Sequence, residues 1–201
     1  SGLKQDGHAY ISNAVDRGAR FIVHEKDYSP PPGVTSIKVP NSRAILGVLG
    51  KNFFSDPSAL LCLVGVTGTN GKTTVTYLLE SIFRAAGFSA GVVGTVNYRF
   101  NDEVMPAPHT TPESYELQKI LRTMVDKGVT HVVMEVSSHA VDLRRVDECS
   151  FDMGLFTNLS QDHLDYHKTM EAYFEAKKRF FKEIIPAGKK NYAHRIIVNG
   201  D

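Results

Sequence analysis

Apolar residues run unbroken from position 60 to 66, a density that predicts a strand buried on both faces of a parallel sheet. Positions 90–96, 129–136, 151–156 and 195–198 give four further strand-like runs. Helical periodicity fills the gaps between them. Residues 74–86 form a helix stopped by Gly87, and residues 112–127 form a second that opens on Pro112 and ends at Gly128. Residues 170–184 form a third, with Tyr173, Phe174, Phe180 and Phe181 as its apolar stripe. Asn101-Asp102 reads as a turn between extended pieces. Strand and helix alternate at crossover spacing, so the fold class is α/β, a mostly parallel sheet with helices on both faces.

The first forty residues follow a weaker pattern. Tyr10, Ile11, Ala14 and Val15 make a short helical face closed by Gly18, and short strands are expected at 21–23 and 37–39. Three consecutive prolines in the 28–33 segment separate them as a loop. Two or three small elements are thin for an independent domain, so residues 1–40 are expected to be the tail of a domain whose beginning is missing. Residues 41–201 form the second region. It opens with a helix capped by Asn41 or Ser42, whose face would be Ile45, Leu46, Val48, Leu49 and Phe53.

Composition removes several classes. Apolar residues make up 42% and charged residues 22%, a globular balance that excludes disorder, collagen and coiled coil. Lysine and arginine number 23 against 22 acidic residues, so nothing points to nucleic acid or an anionic membrane. No apolar run approaches the ~20 residues needed to span a bilayer, and the opening residues lack the blocks of a signal peptide. Cys62 and Cys149 beside apolar segments read as buried free thiols in a reducing compartment. A cytoplasmic monomer is expected.

Candidate chemistry begins with Gly65-Val-Thr-Gly-Thr-Asn-Gly-Lys-Thr-Thr74, between the buried strand and a helix. Successive backbone N–H groups and the positive helix end suit phosphate oxygens, and Gly68 and Gly71 let the backbone approach an anion. Lys72 offers a point charge to the β- and γ-phosphates, and the Thr73 hydroxyl a ligand for Mg²⁺. Val66 occupies the first glycine position of the strict phosphate-loop pattern. These residues imply nucleotide binding and leave open what the phosphate is used for.

Other polar positions fall at predicted strand ends. Glu135, followed by Ser137-Ser-His139, suits a Mg²⁺ role or is a solvated loop acid. Asn158 precedes Ser160-Gln-Asp-His-Leu-Asp-Tyr-His167, where His163 between two aspartates is a metal ligand or an ordinary histidine. Lys177 and Lys178 are adjacent, and composition prefers neither for a special role. Thr110 and Thr111 present hydroxyls to a substrate, or Thr111 caps the following helix with Pro112 at its first position. Arg144 and Arg145 bind an anion or are exposed.

Taken in order, these strings resemble the Mur ligase family of ATP-dependent amide-bond synthetases, and within it the tripeptide-synthetase branch. The resemblance rests on Asp6-Gly-His-Ala-Tyr-Ile11, the phosphate loop, Thr110-Thr-Pro112, Glu135-Val-Ser-Ser-His-Ala140, Thr157-Asn-Leu-Ser-Gln-Asp-His-Leu-Asp-Tyr-His167 and Tyr173-Phe-Glu-Ala-Lys177. It implies three domains: an N-terminal one for the UDP portion, of which residues 1–40 would be the last part, a central ATPase beginning near Asn41, and a C-terminal amino-acid domain absent here. It implies that Gly68, Thr69, Asn70, Gly71, Lys72, Thr73 and Thr74 hold ATP, with Asn158 and Asn199 as weaker nucleotide-side candidates. Thr73 and Glu135 would hold one Mg²⁺, and His163 a second, supported by a CO2-derived carbamate on Lys177. Thr110, Thr111, Ser137 and Arg145 would contact the muramoyl-peptide substrate. Lys72, Lys177 and His163 are the implied catalytic residues.

The implied reaction adds the third amino acid, meso-diaminopimelate or L-lysine, to UDP-N-acetylmuramoyl-L-Ala-D-Glu through an acyl phosphate, in peptidoglycan precursor synthesis. A folylpolyglutamate-synthetase-like ligase is the enzyme alternative. For residues 1–201 alone, a nucleotide-binding module without ligase activity is the other.

Overall fold

The computed structural model describes residues 6–188, 190 and 193–200. Asp201 lies outside them. The chain divides into two compact units, up to Leu46 and from Gly47 onward, the break falling within a helix. In the first unit, a 3₁₀ turn at Gly7–Tyr10 leads into helix α1 (Ile11–Asp16). Strands β1 (Phe21–His24) and β2 (Thr35–Lys38) pair in parallel. Asp6 starts the 3₁₀ turn by accepting the His8 backbone N–H at 3.1 Å.

The second unit carries a sheet of seven strands among the described residues: β3 (Cys62–Thr67), β4 (Ala90–Val93), β5 (Asn97–Phe100), β6 (Glu103–Pro106), β7 (His131–Glu135), β8 (Met153–Phe156) and β9 (Arg195–Val198). Their order is β6-β5-β4-β7-β3-β8-β9. The five strands β4, β7, β3, β8 and β9 run parallel, and β5 and β6 form an antiparallel hairpin around Asn101-Asp102. Alternation along the central strands sends side chains into two cores. Leu63, Val132 and Met134 join Leu117, Leu121 and Met124 of α4 (Ser114–Asp126). Val64, Val66 and Val133 instead meet Val75, Leu79 and Phe83 of α3 (Lys72–Ala85). Helices thus cover both faces, which is why these strands lack polar alternation.

Some details differ from the pattern reading. Helix α2 (Ser42–Phe53) forms as expected, yet its buried positions are Gly47 and Gly50, whereas Leu46, Leu49 and Phe53 are exposed. A Cβ on Gly50 would lie 3.3 Å from the Tyr115 Cα, and one on Gly47 3.1 Å from the Glu148 Cγ. The helix packs through bare backbone, a contact that hydrophobic periodicity does not register. Helix α4 starts at Ser114, two residues after Pro112, with Glu113 at the cap position and the Thr111 hydroxyl engaged elsewhere. Two short helices, α5 (Ser138–Asp142) and α6 (Leu164–His167), arise in segments to which the sequence pattern assigns no element. The long helix is α7 (Met170–Arg179) followed by a π-helical turn at Phe180–Ile184. Of its predicted stripe, Tyr173 and Phe180 are buried, and Phe174 is exposed.

Two features fix the strand bearing the phosphate loop. Any side chain at Gly65 would collide with Phe180 and Phe151, so the residue that opens the loop also lets the π-helical turn after α7 lie close to the sheet. Buried Asp152 accepts the Leu63 N–H at 2.6 Å and the Lys190 ammonium at 3.0 Å. Lys190 in turn donates to the carbonyls of Ser58 and Leu61, so a paired and fully hydrogen-bonded charge anchors the start of β3.

Candidate functional site

The loop between β3 and α3 has the geometry of an anion cradle. Gly68 has φ +139° and Gly71 φ +81°, left-handed values that favour glycine, and a Cβ at Gly68 would overlap the Thr157 hydroxyl. No side chain caps α3, so its first-turn N–H groups at Lys72, Thr73 and Thr74 stand without an intrahelical acceptor, facing the side where an anion binds. Lys72 donates to the carbonyls of Gly68 at 3.0 Å and Thr69 at 2.8 Å. Burial lowers its pKa, opposed by Glu135 and Asp162.

The loop is braced from one neighbouring segment. Asn158 accepts the Asn70 N–H through Oδ1 at 2.9 Å and donates through Nδ2 to the Asn70 carbonyl at 3.2 Å. The Thr157 hydroxyl donates to that same carbonyl at 2.7 Å. Thr69 accepts the Ser160 N–H at 2.9 Å and lies 3.2 Å from the Tyr173 hydroxyl. Asn158 therefore shapes the loop backbone. Asn199, at the end of β9, gives its N–H to the Phe156 carbonyl and is exposed. Thr157, Ser160 and Tyr173 were not singled out from sequence as site residues, although each lies in a string that was.

Glu135 closes β7 inside the fold, 1% exposed, and is no solvated loop acid. Its Oε1 accepts from the Thr73 hydroxyl at 3.0 Å. One hydroxyl and one carboxylate make a hard oxygen donor set of the kind Mg²⁺ takes, with phosphate oxygens completing the shell. Among the described residues, no group of three or more His, Cys, Asp or Glu is placed to hold a metal. His163 has φ +53°, its Nε2 is 3.5 Å from Asp162 Oδ2, and its ring packs edge-on to His139. The structure thus gives it one aspartate neighbour, from the residue before it.

Lys177 and Lys178 separate cleanly. Lys178 pairs with Glu175 at the surface, whereas Lys177 is 1% exposed and donates to the Gly68 carbonyl at 2.8 Å. Two lysines therefore share that one loop oxygen. Burial, reinforced by the Lys72 charge and opposed by Asp162, lowers Lys177 to about 7. A buried amine that sheds its proton near neutrality has the nucleophilic form that CO2 requires, so the residue suits a carbamate.

That depression has a sign for stability. Between about 7 and the ordinary 10.5, the unfolded chain holds the Lys177 proton and the folded chain does not, so stability rises with pH across that window. Lys177→Met removes this dependence. In CO2-depleted buffer the variant's advantage over wild type should be largest below pH 7 and shrink by about 2 kcal/mol between pH 7 and pH 9. Thermal unfolding of the intact protein checks this, and a constant gap would refute it.

The substrate-side candidates lie beside Glu135. The Thr111 hydroxyl donates to the Glu135 carbonyl at 2.8 Å and accepts the Ser137 N–H at 3.2 Å, so it does not cap α4. Arg145 grips the Thr111 carbonyl at 2.9 Å and the Glu113 carboxylate at 2.7 Å, while Arg144 pairs with Asp147. The Thr110 hydroxyl lies 3.0 Å from that of Thr95, a residue sequence reading passed over. Ser137 caps α5 through the Ala140 N–H. Loop, carboxylate, amine and hydroxyl pair thus gather at the C-terminal ends of parallel strands, where α/β folds place their ligands. No described helix is long and apolar enough to cross a membrane.

Comparison with known proteins agrees with this geometry. Residues 66–201 match the Mur ligase middle domain. Over 200 residues the chain is 48% identical to the UDP-N-acetylmuramoyl-L-alanyl-D-glutamate–2,6-diaminopimelate ligase of Geobacter metallireducens, covering 100% of this chain and 39% of that protein. The chain thus spans about two fifths of that relative's length. A solved structure of a ligase bearing the same name aligns with a TM-score of 0.76 at 31% identity, over 87% of this chain and 35% of that one. The MurF ligase of Thermotoga maritima, solved in complex with ADP, aligns at 0.62 and 22% identity over 100% of this chain and 42% of that one, which shows a common fold.

Proposed function

The chain belongs to the Mur ligase family, and from that premise we propose that the intact protein is an ADP-forming ligase joining 2,6-diaminopimelate to UDP-N-acetylmuramoyl-L-Ala-D-Glu in the cytoplasm. The observation that carries the reading is the convergence of Glu135 and Lys177, from two separate elements, on the loop of Lys72 and Thr73. The name of the relative at 48% identity favours diaminopimelate over L-lysine and over a folate substrate. Residues 41–201 act as the central ATP-binding domain, and residues 1–40 as the end of the domain that holds the UDP portion.

In this reading the loop N–H groups and Lys72 take the phosphates of ATP. The terminal carboxylate of the muramoyl dipeptide, oriented by Thr110, Thr111, Ser137 and Arg145, attacks the γ-phosphorus, and ADP leaves. The amine of the amino acid then attacks the acyl carbon, loses a proton and expels phosphate. Lys72 offsets the repulsion between two anions that must meet. Thr73 and Glu135 would hold one magnesium ion, and His163 with carbamylated Lys177 a second, the metals supplying charge neutralisation when bound.

The test is phosphate release from ATP by the intact protein, offered UDP-N-acetylmuramoyl-L-Ala-D-Glu with diaminopimelate or L-lysine in parallel. Release requiring the nucleotide peptide and diaminopimelate is expected. Release with L-lysine would change the amino acid assigned, and release only with folate and glutamate would overturn the proposal.

A further inference from the structure

Buried Glu135 accepts three hydrogen bonds, two of them from a single residue outside the phosphate loop. The Thr95 N–H donates to Oε1 at 3.0 Å, and the Thr95 hydroxyl donates to Oε2 at 3.0 Å. With Thr73 on Oε1, three of the roughly four acceptor positions of a carboxylate are filled. Among the described residues Thr95 alone touches both oxygens, so it fixes the rotation of the carboxylate plane. Gly94 closes the cradle, since a Cβ there would lie 2.5 Å from Oε1.

The other side of the same hydroxyl faces Thr110, at 3.0 Å. Its proton is engaged with a charged acceptor, the stronger partner, so Thr110 donates to it. The result is a chain from Thr110 through Thr95 to Glu135, linking the hydroxyl pair at 110–111 to the carboxylate beside the phosphate loop.

We propose that Thr95 is a positioning residue that aims Glu135 at the cation accompanying the nucleotide and ties that aim to Thr110. The proposal rests on Glu135 being a cation ligand. Thr95→Val keeps the shape and the backbone donor but strips Oε2 of its partner, leaving a buried acceptor unsatisfied. Thr95→Ser restores the hydroxyl, and Gly94→Ala displaces the carboxylate without deleting a donor.

The experiment uses the intact protein with ADP and Mn²⁺ as probe, free and bound Mn²⁺ being distinguished by electron paramagnetic resonance. Thr95→Val is expected to weaken Mn²⁺ in the ternary complex roughly tenfold and to leave metal-free ADP affinity unchanged. Gly94→Ala should shift it the same way, and Thr95→Ser should stay within about twofold of wild type. Glu135→Gln is measured alongside. If Glu135→Gln weakens Mn²⁺ but Thr95→Val and Gly94→Ala do not, the positioning role is overturned. If Glu135→Gln itself has no effect, the ligand role of Glu135 fails and takes the proposal with it. Equal loss of metal-free ADP binding in Thr95→Val would identify a structural defect and also overturn it.

Discussion

Replacing Lys72 with alanine should cut phosphate release by the intact protein by a factor on the order of 10³, the scale of losing a charged group aimed at the transferring phosphoryl. Lys72 is the cation at the head of α3, and the loop backbone supplies only partial charges. The neighbouring Lys177 donates to the Gly68 carbonyl and, deprotonating near neutrality, provides no dependable second charge. The substrate carboxylate would then approach the γ-phosphate with less of the repulsion offset. Lys72→Arg should not restore activity, because a planar fork cannot occupy the position of a compact ammonium folded against two loop carbonyls. Release assays on the purified variants check both statements, and unchanged turnover in Lys72→Ala would remove the phosphate-loop assignment.

The second large effect is expected at Lys177. Lys177→Ala should be inactive, with a fall of at least about 10², and added formate or acetate should return part of the activity. The reasoning is chemical complementarity. The side chain is fully buried, its amine is neutral for a useful fraction of the time at pH 7, and carbamylation replaces that amine with an anion in the same place. Deleting the side chain leaves a space that a small carboxylate can enter carrying the missing charge. Wild-type activity in the alanine variant would end the carbamate reading. A resonance from ¹³C-labelled bicarbonate, present in the wild type and missing in Lys177→Ala, would support it independently of turnover.

The parts of this molecule legible in its sequence are those where composition and geometry coincide. The run at 60–66 was readable as a two-faced buried strand, which forms at Cys62–Thr67 with Leu60 left exposed in the preceding 3₁₀ turn, and a strand followed by Gly-Lys-Thr at a helix start has few other uses. Glu135 was readable as a strand-end acid, because the sheet's parallel order follows from the alternation of elements. What escaped depends on contacts between distant residues. Lys177 and Lys178 are the same letter, and only the fold shows that one is buried on the Gly68 carbonyl while the other pairs with Glu175 at the surface. The face of α2 was misread because its packing surface is glycine backbone. Thr95 gave no signal, since a threonine after a strand is ordinary until its two donors are seen to end on one carboxylate. Asn158 was legible as a site residue, but its role as a brace for Asn70 was not.

The two carbonyls that hold Lys72 bear on the end of the proposed reaction. A cation that had to stand bare whenever the site emptied would cling to its last anion, and departure of that anion would be slow. Here the Gly68 and Thr69 oxygens accept from the ammonium, so under the proposed activity it would trade one set of acceptors for another as ADP leaves. The same trade weakens the grip on the incoming nucleotide by an equal amount. Under the proposed reaction, tightness of binding would thus be exchanged for ease of departure of anionic products.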